Sequence, residues 1–482
     1  MSDRDSEGGF LMISSRYWGL DTAEKLLSHK YRGVVVYGDP DVDGLFAMRL
    51  AHNFAVLCNL KHICYVNGRR EHGFKLDAHK LKGCLVLAVD FLISESEMEG
   101  IISQGVTVIC IDHHDVKQHI LKGSTEGVSC GVLISNQYPE EDERKRYLSG
   151  AGMAYECFSI MLKDLGVKGC FDDDDKATVG VTLLSDQRVI ETPDAAEYLR
   201  HTYTHISPYF SYLLGYLQGP YSKPTRLDRN AIDFSLSPLI NSLLRFGYVN
   251  EAIRFVFGQG LSVIDTRAKQ KDLVALMCER MRVYSYRHFD LVLLDADRFR
   301  EDVTMFIGLL ASRVKGDNGK STMALAMRGG KLLRGSFRGR FDGVRYLDLF
   351  QKYGHCEGHQ ISFGVKSWGC GDHAKLDSLI GELESRAKPQ ARVTDVTSLS
   401  EAVKSIGRKV AEYNDYVRSA NRWSFRCKGL KASLIASSGR MRLYRVDDLD
   451  VRTFGEDLEG CFIIPLMQDG YLTLQGKHTL TG

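Results

Sequence analysis

With 482 residues and a mass of 54.2 kDa, the chain is too long for one ordinary domain, so two or three are expected, each with its own core. Its 63 Lys and Arg nearly balance 61 Asp and Glu, for a formal net charge of +2, which excludes a uniformly basic nucleic-acid coat but not a local basic groove. No apolar run approaches the ~20 residues of a membrane span, residues 1–9 are polar and acidic unlike a signal peptide, and twelve Cys without a Cys-x-x-Cys pair suit reduced thiols, several of them in apolar runs (Cys58, Cys84, Cys110). An intracellular protein is expected.

Helical spacing at residues 22–29 is followed by a β-branched run, 34–37, which ends in Gly38-Asp39-Pro40-Asp41-Val42-Asp43-Gly44 before a helical apolar pattern at 45–57. Three carboxylates at alternate positions on one turn repel one another unless a cation neutralises them, and hard divalent ions do that. A solvated acidic turn is the alternative. Short buried-type strands at 63–66, 84–89 and 106–111 alternate with helix-length segments, which predicts a mostly parallel, doubly wound sheet. Ligands in such sheets sit at the carboxyl ends of strands. Three of these ends carry the acidic triplet, Asp90, and Asp112-His113-His114. Asp90 by itself would also read as a helix cap. Adjacent histidines on a strand point to opposite sides, so one can ligate a metal while the other faces a phosphate.

Gly150-Ala151-Gly152 opens a helix through 162, with small residues where backbones pack closely. The four acids 172–175 read as a solvated start for a helix at 176–184 rather than a metal cage, and Asp186 follows as one further candidate ligand. Residues 203–282 are helical with Gly and Pro breaks, the stretch 265–282 reading as a connector helix. A second α/β region follows, with strands at 291–294 and 323–327 around a helix at 305–314. Lys331, Arg334, Arg338, Arg340 and Arg345 form a basic ribbon with Phe337 and Phe341 interleaved, either a solvated edge hairpin or a groove with aromatic stacking. Its end, 353–364, is Gly-rich around His355 and His359, which lets backbone N–H groups approach a phosphate, with an ordinary glycine-histidine turn as the alternative. A capping-box match at Ser398-Leu399-Ser400-Glu401 opens a helix to about 420, and 422–482 is short-strand material whose last residues are polar enough to be mobile.

In this order, the motifs at 38–44, Val89-Asp90, Asp112-His113-His114, Ser185-Asp186 and Gly358-His359 resemble the DHH phosphoesterase superfamily with its accessory DHHA1 domain, and within it the RecJ family of single-strand-specific exonucleases. Residues 67–74, 148–154, 238–245 and 307–313 are similar to further RecJ motifs, so the likeness spans about 34–364. It implies an α/β chain: an N-terminal segment 1–29, a parallel-sheet DHH catalytic domain 30–205, a helical connector 206–285, a smaller α/β DHHA1 domain 286–385, and a C-terminal helix plus β-rich extension at 393–482. The sequence departs from the family at Cys356-Glu357-Gly358-His359, where glycines are usual before the histidine, at Leu239 and Leu244, and near Thr304, where a histidine is missing. Every metal-motif position keeps a ligand type. The added acid Glu357 would repel a polyanion, so an altered substrate track is expected.

The resemblance further implies a metal-dependent hydrolase of phosphodiester bonds, a 5′→3′ exonuclease on single-stranded nucleic acid, DNA ahead of RNA, in recombination and repair. Two divalent ions, Mn²⁺ or Mg²⁺, would be held by Asp39, Asp41, Asp43, Asp90, His113 and Asp186. Asp41, Asp112, His113 and His114 would carry the chemistry, with Asp112 orienting a histidine and His114 contacting the scissile phosphate. Arg313, Arg328, Arg338 and His359 would grip phosphates. Tyr37 stands where other superfamily members place a ligand histidine. Replication or repair proteins are conceivable partners. A small-substrate phosphoesterase and a non-catalytic replication scaffold are the competing readings, the latter opposed by the intact ligand set.

Overall fold

All five residues of β1 (Val34–Gly38) are buried, which a strand achieves in the middle of a sheet covered on both faces. In the computed structural model the described residues are 16–386, apart from 69–72, 117, 126–128, 187–191, 218–222, 264, 319, 340–343, 360 and 369–372, together with the backbone of strands between 394 and 478. The chain divides into two compact units, Met1–Val263 and Ile264–Gly482, so the helices of 206–263 belong to the first.

In the first unit, α1 (Leu20–Leu27) precedes β1, which is followed by α2 (Val42–Leu57), β2 (His62–Val66), β3 (Leu85–Val89), α3 (Glu95–Ile102), β4 (Thr107–Asp112), β5 (Leu121–Gly123) and β6 (Cys130–Ser135). The sheet order is β2-β1-β3-β4-β6-β5, parallel except for β5, which runs antiparallel at one edge. The expected doubly wound sheet is therefore present, with β6 as a further buried apolar strand that the sequence reading does not include. From β1 the chain steps to one side for β2 and to the other for β3, so a crevice opens where these neighbours part. The register sets Gly38 level with Val89, Val89 with Ile111, and Asp112 with Ser135. The residues that follow these strands leave the sheet at one height.

Twelve of the sixteen residues of α2 are buried, so this helix has no solvent face to speak of and packs against α4 (Gly150–Asp164) and α5 (Asp173–Ser185). One tie between α2 and α5 is polar: Arg49 meets Asp175 at 2.9 Å, Asn53 donates to the same carboxylate oxygen at 2.7 Å, and the Tyr209 ring lies 4.2 Å from the guanidinium. This corrects the expectation of a solvated acidic start to α5. Asp172 does cap the helix in a capping box, but Asp175, its reciprocal partner, is buried on Arg49. The unit closes with α6 (Pro193–Thr204), α7 (Pro208–Tyr216), α8 (Arg229–Ala231) running through a π-turn at Ile232–Leu236 into α9 (Ser237–Arg245), and α10 (Val249–Val256).

The second unit begins with α11 (Thr266–Arg280), β7 (Arg282–Ser285), β8 (Phe289–Asp295), α12 (Ile307–Asn318), β9 (Ser321–Arg328), β10 (Lys331–Arg338), α13 (Tyr346–Gln351), β11 (Gly354–His359), β12 (Ser362–Trp368) and α14 (His373–Arg386). Its sheet, β11-β12-β10-β9-β8-β7, is antiparallel but for the β8–β9 pair. The ribbon residues Lys331, Arg334 and Arg338 thus lie on an interior strand, not an edge hairpin, while Arg345 stands before α13. Phe337 cannot stack on bases, because it is fully buried among Tyr346, Phe350 and Phe363, at ring distances of 4.7–4.9 Å. Arg340 and Phe341 lie outside the described residues.

Beyond α14, β13 (Thr394–Val396), β14 (Arg422–Cys427), β18 (Cys461–Pro465) and β20 (Lys477–His478) make one four-stranded sheet, ordered as named. β15 (Ala432–Ser438), β16 (Met441–Val446), β17 (Leu449–Phe454) and β19 (Leu472–Leu474) make another. The helix expected at 398–420 falls outside the described residues, as does most of the 471–482 end. No helix among the described residues is long and apolar enough to cross a membrane.

The burial of Phe337 makes a direct prediction. Phe337→Ala should destabilise the second unit by about 3–5 kcal/mol, the usual range for emptying a buried aromatic site. Urea denaturation followed by a probe in that unit measures it; a loss below about 1 kcal/mol would place Phe337 outside the core.

Candidate metal centre

The acidic triplet is spread over three kinds of backbone. Asp39 leaves β1, Asp41 is the extended residue before α2, and Asp43 stands in the first helical turn. Asp41 caps the helix, its carboxylate accepting the Gly44 N–H at 3.0 Å, and negative charge at this end is favoured by the helix dipole. A Cβ on Gly44 would run into the Asp39 backbone, so glycine lets the turn close.

The N-terminus of α4 grips Asp43. Gly150 and Ala151 donate their backbone N–H groups to its two carboxylate oxygens, at 2.6 and 2.9 Å, while Ser149 caps the helix. These small residues therefore do more than let backbones pack closely. The signal available in the sequence is the Ser-Gly-Ala-Gly helix start, whose unsatisfied N–H groups suit an anion. A side chain at Gly150 would fall on the carboxylate of Asp90.

Asp90 follows β3 with φ +67°, a left-handed conformation that Asp tolerates better than most residues. Its N–H donates to Ile111 O at 2.9 Å, and it does not cap α3, a role taken by Ser94. The two histidines follow the end of β4 instead of lying in it, and they part company. His113 is buried, with Nε2 at 3.1 Å from Asp90 Oδ1, 3.7 Å from Asp43 Oδ2 and 3.9 Å from Asp186 Oδ2. His114 has a 44 % exposed side chain, and its Nδ1 lies 2.8 Å from Oδ1 of the buried Asp112.

The ligand-type atoms gather in overlapping sets, Asp39 with Asp41 and Asp90, Asp43 with His113 and Asp186, and Asp90 with Asp112, His113 and His114; within each set they lie within 4.8 Å of one another. The Asp90–His113 contact joins the sets. Burial first, and then the charge of Asp41, pushes the Asp43 carboxyl up to about 6; burial and the charges of Asp43, Asp41, Asp39 and Asp112 push Asp90 well above the ordinary carboxylate range. Five carboxylates so placed are costly as anions and are relieved by cations. Carboxylate oxygens joined by one imidazole nitrogen match hard divalent ions, so the residues fit Mn²⁺ or Mg²⁺. Asp112 is held below the usual range: burial would raise it, but the His114 charge and hydrogen bond with the His113 contribution outweigh that. The Asp112 charge in turn raises His114 to about 10.

Tyr37, the residue in a histidine's place, is buried; its hydroxyl donates to Asn67 Oδ1 at 2.5 Å and accepts from the Lys75 N–H at 3.0 Å. It serves as a floor that ties β1 to the chain after β2.

The phosphate-gripping candidates all lie on the second unit. Arg338 pairs in register with Ser362, which pairs with His359, so these two positions share one end of the sheet. Arg338 Nε also donates to Ser312 Oγ at 3.2 Å, beside Arg313 on α12. Arg328 is not brought to them. Its strand partner is Lys331, at the other end of the β9–β10 ladder, and it pairs with Asp297 at 2.9 Å. Within the Gly-rich stretch, β11 pairs antiparallel with β12, and Gly358 takes φ +137° against Phe363.

Residues 33–174 match the family model described as the DHH family, N-terminal domain. The single-stranded-DNA-specific exonuclease RecJ of Salmonella typhimurium is 24 % identical over 393 residues, covering 72 % of this chain. The chain spans 66 % of that relative's length. Among solved structures, RecJ from Thermus thermophilus in complex with Mn²⁺ superposes with a TM-score of 0.66 at 18 % identity, covering 96 % of this chain and 71 % of that one. Exonuclease RecJ bound to manganese gives 0.53 at 18 % identity, over 78 % and 96 %. Residues 33–174 therefore match a DHH-family N-terminal domain, and the chain around them is similar in sequence and in fold to RecJ exonucleases.

Proposed function

We propose that this chain hydrolyses phosphodiester bonds in single-stranded nucleic acid, as a 5′→3′ exonuclease that releases 5′-mononucleotides from DNA in recombination and repair. The observation that carries the reading is the pair of three-ligand sets, Asp39/Asp41/Asp90 and Asp43/His113/Asp186, joined by one contact at the sheet's switch point. Asp39, Asp41 and Asp90, with Asp43, His113 and Asp186, would hold two divalent ions, which would supply Lewis-acid activation of a water and charge stabilisation at phosphorus.

The chain's own residues do the rest. The α4 N–H groups fix both oxygens of Asp43, so that carboxylate is positioned before any ion arrives. Asp112 accepts from His114 and so orients its half-exposed ring, which supports His114 as the group that contacts the scissile phosphate. On the second unit, Arg338 and His359 hold register positions at one sheet end, Arg338 donates to Ser312 next to Arg313 on α12, and these three are the residues we assign to phosphate oxygens. The polarity and the DNA substrate rest on the RecJ likeness.

The direct test is nucleotide release from 5′-labelled single-stranded DNA with Mn²⁺. Mononucleotides should appear, EDTA should stop them, and Asp186→Ala should fall to background. Turnover of a dinucleotide with no attack on polymer would instead favour a small-substrate phosphoesterase.

Asp112→Asn should keep the metals but lose roughly 100-fold in kcat, the scale of a misplaced contacting group. Unchanged kcat would remove His114 from the phosphate. Gly150→Ala should abolish activity and weaken Mn²⁺ binding measured by calorimetry, because the new methyl displaces Asp90; wild-type binding by this variant would contradict the clamp.

A further inference from the structure

A second cluster of ligand-type side chains lies away from the carboxylates. We propose that His52, His62 and Cys64 form a metal site for one borderline-soft divalent ion of the zinc class, clipping α2 to the edge strand β2. This is independent of the hydrolase reading.

His62 and Cys64 are two apart on β2 and so share one face of the strand, and both are half-buried, whereas the intervening Ile63 is exposed. His52 reaches them from α2, and one ligand atom from each residue lies within 4.8 Å of the others. His52 Nδ1 is 2.7 Å from His62 Nε2, and Cys64 Sγ is 3.8 Å from His52 Nδ1. For tetrahedral zinc, bond lengths of 2.0–2.1 Å to nitrogen and about 2.3 Å to sulfur imply separations of roughly 3.3 Å and 3.6 Å. A shift of about half an ångström would open one edge and close the other.

The supporting contact is already made. His62 Nδ1 lies 2.8 Å from Leu60 O, an atom that can only accept, so Nδ1 carries the proton and Nε2 presents its lone pair into the cluster. Such a bond from the second ring nitrogen to a carbonyl is the usual way a protein aims a ligating histidine. It also means that His52 Nδ1 donates to His62 Nε2 while no ion is bound. On binding, the Cys64 thiol proton leaves to solvent and the single imidazole proton of His52 moves from Nδ1 to Nε2, which frees three lone pairs. Burial pushes the Cys64 thiol up to about 11, and burial, His62 and Arg49 lower His52, so neutral groups wait there. The Arg49 charge is paired with Asp175.

Thiolate and imidazole select zinc-class ions over Mg²⁺ and Mn²⁺, the reverse of the carboxylate cluster. The sites are also apart. His62 is level with Val34, four residues before Gly38, or roughly 13 Å back along the sheet. Three protein ligands on a solvent-facing edge leave the fourth position to water.

The test uses the full chain, stripped of metal and held in excess Mg²⁺, titrated with Co²⁺ as a spectroscopic probe for zinc. One equivalent should give tetrahedral d–d bands and a thiolate-to-cobalt charge-transfer band, both bleached by Zn²⁺. Cys64→Ser should lose the charge-transfer band, and His62→Gln should weaken Co²⁺ binding at least tenfold. Zn²⁺ should raise Tm by several degrees in the unmutated chain and not in Cys64→Ser. If Cys64→Ser does not fold, His52→Gln, which keeps the thiol, should lose the tetrahedral intensity. Absence of a thiolate band, or its survival in Cys64→Ser, overturns the proposal.

Discussion

Everything in the first unit answers to a packing of like charges that water cannot screen. Asp39, Asp43, Asp90 and Asp112 are all buried, and they meet because parallel register sends three neighbouring strands out of the sheet at one height. A parallel sheet requires covered faces and leaves its strand ends as the one place where polar groups can gather. The cluster therefore gains position from the fold at the cost of electrostatic self-repulsion. That repulsion, not any single distance, is why the site asks for cations.

The same crowding explains the small residues around it. The α2 turn closes because Gly44 admits the Asp39 backbone, and α4 reaches Asp43 because Gly150 leaves room for Asp90. Asp90 adopts a left-handed backbone at the point where its carboxylate must sit between those helices and His113. Strained conformations of this kind persist where surroundings over-determine them, here through the strand register and the bond to Ile111 O.

Much of this is legible in the sequence, because strand ends and acids are local patterns. The β-branched run before Asp39 and the apolar runs before Asp90 and Asp112 reveal both the strands and what they carry. What local pattern does not carry are facts about partners. Asp175 reads as solvated among four acids, since nothing nearby discloses that Arg49, 126 positions earlier, arrives to bury it. Phe337 reads as available for stacking among arginines, yet strand alternation turns it into the core while Arg338 faces outward. The Ser-Gly-Ala-Gly start of α4 tells that N–H groups are open to an anion, but not that the anion is Asp43, 107 positions earlier. Cys64 is one of twelve scattered thiols until helix packing sets His52 beside it.

Near-neutral net charge hides how the cations of the second unit are arranged. Arg313 pairs with Asp317, Arg328 with Asp297 and Arg345 with Asp348, all within reach of solvent. Exposed pairs of this kind contribute ~0–1 kcal/mol, so a phosphate that offers two oxygens to a guanidinium competes well against one carboxylate. Acidic neighbours thus tune these arginines without removing them. Arg338 is anchored differently, donating to Ser312 Oγ, Ser336 Oγ and Phe337 O, and these bonds hold its planar fork in one orientation at the sheet end shared with His359. A fork already oriented gives up less conformational freedom when it meets a phosphate. Arg328 instead meets Asp297 in an exposed pair, so the two ends of the β9–β10 ladder hold their guanidinium groups in different ways.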